Sequence, residues 1–418
     1  MSRLYDVTIK FDPKDFKENT EVEAVGISGE FLFYKSGLTG HTDETGMIDC
    51  EEKFPPTQYV DGLDLIGGLY YEPMTKNVDN IYEVTLKLPA GVYPYHFVIN
   101  PELCDASELD ERMAWSAMID ADGHKVALTH MIEVLRDGSY KNHNYMIADP
   151  KNPPVAPTVT GKQTNSELFV GTAEECVRIP SVTKSKSEAD MKNKGIISYQ
   201  SYTDVNGDTQ TAGVYLPPNY DRNKTYPLIV VSHGGGGNEA DWFSQGNLNI
   251  IMDNMIAQGR TKEAIVVTPN NAVYEWDFAV IAKNIEEHLI PYIEMVYPIS
   301  KDVKDRAFCG LSMGSMTTLY MYYHRSCKYD YFGAFSGGIA PGHEAFDISD
   351  PHIRDVKLMI GCAEEDIAYN QREIGIPPTI EALKEAGIEY TPYFVTGSHD
   401  WFCWPAMFEY FAEYVLWK

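Results

Sequence analysis

The chain of 418 residues is 44% hydrophobic and 23% charged, enough to build two or three domains with sizeable cores. Its 34 Lys and Arg against 61 Asp and Glu leave a net charge of −27, a balance that repels phosphate backbones and anionic lipid and excludes nucleic acid and membranes as expected partners. Seven scattered cysteines without a C-x-x-C pair argue against a disulfide framework and against structural zinc.

The opening residues, Met1 to Val7, hold no apolar leader, so the chain as it stands reads as cytoplasmic, and as secreted if a signal has been removed. Short alternating runs at 22–27, 81–88 and 93–99 then predict half-buried strands of an antiparallel β-sandwich over residues 1–148. Pro89-Ala90-Gly91 reads as the turn of a hairpin. The strand after it, with Tyr93, Tyr95 and Phe97 in alternation, resembles a segment of the early-set immunoglobulin-like domains, among them the glycogen-binding modules of family 48. That resemblance raises a sugar-binding role for Tyr70, Tyr71, Tyr93, Tyr95 and Trp115. Aromatics on strands are by default core, so the domain is expected to serve structurally.

Asp149 to Pro157 carries four prolines, which suit neither a helix nor a central strand, and residues 149–168 are expected to form a linker. From 169 to 418 strands and helices alternate. Two strands flank Asn206-Gly207, a hairpin signal. Asp204-x-Asn206-x-Asp208 reads as that turn rather than a calcium loop, because Tyr215 stands where an EF-hand needs glutamate. Apolar runs at 228–231, 264–268, 306–309, 332–335, 357–360 and 390–395 predict buried strands, and 248–257, 278–296, 316–323, 378–386 and 405–416 predict helices. This order predicts an α/β domain with a mostly parallel sheet, whose chemistry gathers beyond the carboxyl ends of its strands.

Three loops carry that chemistry. Gly310-Leu311-Ser312-Met313-Gly314 is a G-x-S-x-G turn between a strand and a helix, which exposes the Ser312 hydroxyl as a nucleophile. His233-Gly234-Gly235-Gly236-Gly237 has no G-K-[S/T] after it, which rejects a phosphate loop. It suits an oxyanion hole, with the N–H groups of Gly235 and Met313 as donors. Among Glu364, Glu365 and Asp366 one carboxylate should orient a base; Asp366 is the choice and Glu365 the rival. His399 follows the next strand and completes the order Ser312, Asp366, His399, which is that of α/β-hydrolases. No metal or organic cofactor is called for.

H-G-G-G-G-N-E-x-D-W at 233–242, G-L-S-M-G at 310–314 and G-S-H-D-W-x-x-W at 397–404 together resemble carbohydrate esterase family 1, and within it the feruloyl esterases of the esterase D group. The resemblance spans 196–418 and implies an α/β-hydrolase fold and serine hydrolysis of esters, ferulate or acetate on plant xylan. The expected partner is a feruloylated or acetylated xylan oligosaccharide or a small aryl ester. Trp242, Tyr274, Trp276 and Trp401 are the expected aromatic wall for such a substrate. A siderophore or acetyl esterase is the alternative of the same chemistry, and a non-catalytic glycan-binding protein the alternative of another class.

Overall fold

Alternation of apolar residues organises the first part of the chain. In the computed structural model the described residues are 3–16, 21–35, 53–60, 63–65, 69–108, 117–128, 146–152, 166–171, 194–274, 276–363, 366, 368, 375–395, 399, 401 and 403–418. Those up to 171 fall in one compact unit and those from 194 onward in a second.

The first unit is all β. Strand Leu4–Phe11 pairs antiparallel with Tyr82–Pro89, which also pairs with Thr75–Lys76. In a larger sheet Val25–Glu30 lies between Leu69–Pro73 and Gly91–Ile99. The two sheets meet at Phe11 and Phe97, whose rings stand 5.0 Å apart. Among the described residues the only parallel pairing in this unit joins Leu69–Pro73 to Met118–Ile119.

Two expectations change here. Tyr82–Pro89 and Gly91–Ile99 do not form a hairpin; they belong to different sheets. Pro89-Ala90-Gly91 turns the chain, but turn residues do not say which neighbour receives the backbone hydrogen bonds. Ser166–Val170, expected to straddle the linker and the second domain, pairs antiparallel with Gly91–Ile99 in the first unit's sheet. Its five residues are too short to announce themselves as a strand. Tyr70, Tyr71, Tyr93 and Tyr95 are buried, as core aromatics should be, while Trp115 lies outside the described residues.

Asp149, at the head of the proline run, anchors the chain to this unit. The Tyr95 hydroxyl donates to Asp149 Oδ2 (2.7 Å), and the Asp149 N–H donates to Ser166 Oγ (2.8 Å). Asp149→Ala would leave a buried phenol without its acceptor, so stability in urea denaturation should fall by about 1–3 kcal/mol. Adding Tyr95→Phe should then cost less than it does alone, because the group left unpaired is removed; strict additivity would contradict the assignment.

The second unit holds eight strands, numbered here β1 (Ile196–Thr203), β2 (Thr209–Leu216), β3 (Leu228–Ser232), β4 (Ile265–Pro269), β5 (Arg306–Leu311), β6 (Tyr331–Phe335), β7 (Lys357–Ala363) and β8 (Thr391–Val395). Their spatial order is β1-β2-β4-β3-β5-β6-β7-β8. β2 runs antiparallel to β1 and β4, and the rest of the sheet is parallel. This is the α/β-hydrolase arrangement. At the β1–β2 turn Gly207 takes φ 86° and Asp204 Oδ1 accepts the N–H groups of Asn206 and Asp208 (both 2.9 Å), so these acids build a turn.

The helices are α1 (Asp241–Ser244), α2 (Leu248–Ala257), α3 (Phe278–Asn284), α4 (Ile290–Val296), α5 (Met313–Arg325), α6 (Ile376–Glu385) and α7 (Cys403–Tyr414). A π-turn, Ile285–Leu289, joins α3 to α4 into the one long helix that the spacing predicts. The continuous apolar run of β3 divides between the two faces of the sheet. Leu228 and Val230 pack with Ile281, Ile285 and Leu319, and Ile229 and Val231 pack with Ile251, Met407 and Phe411. Burial on both faces fixes the strands and leaves their carboxyl ends as the place where loops are free to carry chemistry. Among the described residues no helix is long and apolar enough to cross a membrane.

Candidate active site

Ser312 stands between β5 and α5 with φ 53° and ψ −118°, a conformation that a side chain rarely adopts. Its neighbours make the turn possible. A Cβ on Gly310 would lie 2.7 Å from the carbonyl oxygens of Gly314 and Ser232, and one on Gly314 would lie 2.5 Å from that of Ser232. Only glycine lets β3, β5 and α5 approach so closely. The Ser312 N–H donates to the Phe335 carbonyl on β6 (2.8 Å), which ties the turn to the next strand.

The loops after β7 and β8 bring the other two groups. His399 Nε2 lies 3.0 Å from Ser312 Oγ, and His399 Nδ1 lies 2.8 Å from Asp366 Oδ1. The Asp366 side chain is shielded from solvent, and its Oδ1 also accepts the Ala368 N–H (2.7 Å). A buried carboxylate held this way fixes the imidazole with Nδ1 protonated and Nε2 free to accept from the serine. Glu365 lies outside the described residues. Trp404 packs edge-on against the His399 ring at 4.9 Å and closes its far side.

The glycine loop after β3 abuts the serine, since a Cβ on Gly234 would stand 3.3 Å from that of Ser312. Met313 opens α5, so its N–H has no acceptor within the helix. Among the described residues the Gly235 N–H likewise meets no backbone acceptor. Both donors expected for an oxyanion are thus uncommitted, on chain segments adjoining Ser312.

The four expected aromatic contacts separate into two pairs. Trp276 is 50% exposed and lays its ring over Gly235, where a Cβ would meet it at 3.0 Å. Trp401 is half-buried, edge-on to Trp404 at 5.0 Å. Trp242 and Tyr274 are buried and offer no face to a ligand, which corrects the expectation. Trp242 donates its indole N–H to the Ser232 carbonyl (2.9 Å) and packs on Phe408. The Tyr274 hydroxyl donates to Asp204 Oδ2 (2.9 Å). Both are amphipathic side chains whose polar ends found partners inside, an outcome that loop position alone does not reveal.

Sequence reasoning missed the residues behind the glycine loop. Asp241 Oδ2 accepts the Asn238 N–H (3.0 Å), and the Asn271 side chain donates to Ser232 Oγ (2.9 Å). Asp241 could have been suspected from its place eight residues after the loop begins; nothing in the sequence links Asn271, beyond β4, to β3.

No group of possible metal ligands gathers around Ser312 among the described residues. The one such group, Asp120, Asp122 and His124, lies in the first unit, where Asp120 Oδ1 accepts the backbone N–H groups of Asp122 and His124 in a surface turn. Cys104, Cys309, Cys327, Cys362 and Cys403 form no disulfide, and burial pushes Cys309 and Cys362 well up from the ordinary thiol range.

Residues 204–372 match the family model "Esterase". That match lies within the second unit. An endo-1,4-beta-xylanase/feruloyl esterase of Xylanibacter ruminicola is 32% identical to this chain over 239 residues, 54% of this chain and 32% of that protein. The chain therefore spans about a third of the length of that curated relative. A carbohydrate esterase family 1 ferulic acid esterase from Anaeromyces mucronatus is 28% identical over 55% of this chain and 94% of its own, with a TM-score of 0.48. The enterobactin esterase of Shigella flexneri matches 97% of this chain and 92% of its own at 14% identity and a TM-score of 0.53, a likeness of fold alone.

Within the second unit, burial holds the Asp241 carboxyl up at about 7, against an ordinary 3.8, and the neighbouring Glu239 adds repulsion. Glu239 is itself raised by burial. The stability that Asp241 contributes as a neutral acid is full below its unfolded pKa and is lost as pH rises through the folded one. Asp241→Asn cannot ionise and keeps an acceptor for Asn238. Its melting temperature relative to the parent should therefore climb between about pH 5 and pH 8. A difference that stays flat or shrinks over that range would contradict the raised pKa.

Proposed function

We propose that the second unit is a serine carboxylesterase that hydrolyses feruloyl and related hydroxycinnamoyl esters of plant xylan or its oligosaccharides. The observation that carries this reading is the hydrogen-bonded relay from Ser312 through His399 to Asp366 beside a glycine loop with uncommitted N–H groups. The xylanase/feruloyl esterase name of the Xylanibacter relative supports the substrate class.

In this mechanism Ser312 Oγ attacks the ester carbonyl while its proton passes to His399 Nε2. Negative charge builds on the carbonyl oxygen, which the N–H groups of Gly235 and Met313 receive. Collapse breaks the bond to the sugar oxygen, which takes the proton from His399 and departs as the alcohol, and leaves the acyl group on Ser312. Water, deprotonated by His399, then releases the acid and restores the serine. Asp366 orients the ring and stabilises the imidazolium between the two proton transfers. The exposed Trp276 and the half-buried Trp401 are the seats for an aryl ring.

A catechol siderophore trilactone, the same chemistry on an anionic substrate, is the second reading, prompted by the two-unit likeness to the enterobactin esterase. The loops at 233–241, 270–277, 336–346, 364–375 and 396–402 carry one Lys or Arg between them, Arg372, which disfavours a polyanion.

Methyl ferulate, methyl p-coumarate, an aryl acetate, acetylated xylan and a catechol trilactone, compared by kcat/KM, separate these readings; hydroxycinnamates should lead. Ser312→Ala should lower kcat by about three orders of magnitude or more with an unchanged melting temperature. Asp366→Asn should lower it by about three to four orders, because the amide favours the wrong imidazole tautomer. Near-normal turnover by purified Ser312→Ala would overturn the assignment.

A further inference from the structure

His233 lies directly before the glycine loop and is buried. Its two ring nitrogens face partners of opposite kind. Nδ1 is 2.7 Å from the Gly234 carbonyl oxygen, an acceptor, and Nε2 is 2.9 Å from the backbone N–H of Asn271, a donor. The ring can satisfy both only as the neutral Nδ1–H tautomer. Burial supports that state, holding the pKa down at about 4.

The Gly234 carbonyl and the Gly235 N–H belong to one peptide unit. No peptide in the described chain is cis, and in a trans unit the C=O and the N–H point in opposite directions. His233 grips the carbonyl, and the Gly237 N–H donates to the same oxygen at 3.2 Å. Holding the oxygen on one side commits the Gly235 N–H to the other. Glycine has few steric restraints of its own, so without such a grip the unit could rotate. The imidazole is in turn docked on the ends of two buried strands, because Asn271 follows β4 and its side chain donates to Ser232 Oγ at the end of β3 (2.9 Å).

We propose that His233 is a positioning residue, which sets the plane of the 234–235 peptide and so aims the Gly235 N–H at the oxyanion formed on the substrate of Ser312. This rests on the ester-hydrolase reading. It assigns His233 no proton transfer and no contact with substrate. The lost quantity on its removal is therefore transition-state stabilisation, with ground-state binding preserved.

Three substitutions separate donor from bulk. His233→Asn places an amide nitrogen where Nδ1 sits and keeps a donor for Gly234. His233→Gln reaches toward the Nε2 position, keeping an acceptor for Asn271 but no donor at Nδ1. His233→Ala keeps neither. On an aryl acetate, His233→Ala and His233→Gln should lose about 10²- to 10³-fold in kcat, the effect of misplacing one oxyanion donor, with KM changed less than about threefold. His233→Asn should recover about tenfold or more over His233→Gln. Affinity for an arylboronic acid, which forms a tetrahedral adduct with the serine, should fall in step with kcat/KM, while inhibition by free ferulate should not change.

Equal kcat for the Asn and Gln variants, unchanged kcat in His233→Ala, or a rise in KM alone would each overturn the proposal. Should His233→Ala fail to fold, the Asn–Gln comparison still decides. An unmodified protein that hydrolyses no ester and is not labelled by a fluorophosphonate would instead bring down the ester-hydrolase reading, and this inference with it.

Discussion

The turn at Ser312 is the constraint on which the rest of the second unit depends. A residue with a side chain is held at φ 53°, in backbone space where such strain costs on the order of 1–3 kcal/mol. It persists because the surroundings leave no alternative. Gly310 and Gly314 are pressed against backbone carbonyls, and the Ser312 N–H is spent on β6. β5, which delivers the serine, is central in the sheet and buried from its second residue onward. α5, which leaves it, buries Met313, Met316 and Leu319. The same geometry that exposes the hydroxyl also starts a helix at Met313, and so supplies an unpaired N–H next to it.

The parallel sheet explains why the remaining groups arrive at that point. β3, β5, β7 and β8 all end on the same edge, so four loops far apart in sequence converge there. Each contributes one kind of group: backbone donors after β3, a serine hydroxyl after β5, a shielded carboxylate after β7 and an imidazole after β8. Behind the β3 loop, burial raises both Glu239 and Asp241 from the ordinary carboxylate value.

Much of the second unit was legible in the sequence because its signals are local. A run such as Leu228-Ile229-Val230-Val231 allows little but a strand buried on both faces, and G-x-S-x-G between a strand and a helix is a turn with a mechanism. Ser312, Asp366 and His399 could be placed because each follows a readable strand. What resisted reading was long-range. The direction in which Trp242 and Tyr274 point depends on whether Ser232 and Asp204 lie within reach inside, and no window of sequence holds both partners. The break between Tyr82–Pro89 and Gly91–Ile99 is of the same kind, because sheet membership is decided by distant strands such as Leu4–Phe11. His233 was visible, but its meaning required Asn271, beyond the next strand.

The central claim is that Ser312 carries the acyl group during turnover. Its most direct test is to quench the protein in acid while it hydrolyses methyl ferulate and to map the adduct by peptide mass spectrometry. The mechanism requires a feruloyl group on the peptide containing Ser312, at a level that falls as substrate is exhausted. Steady hydrolysis with no acylated Ser312, or with the acyl group on another side chain, would contradict it.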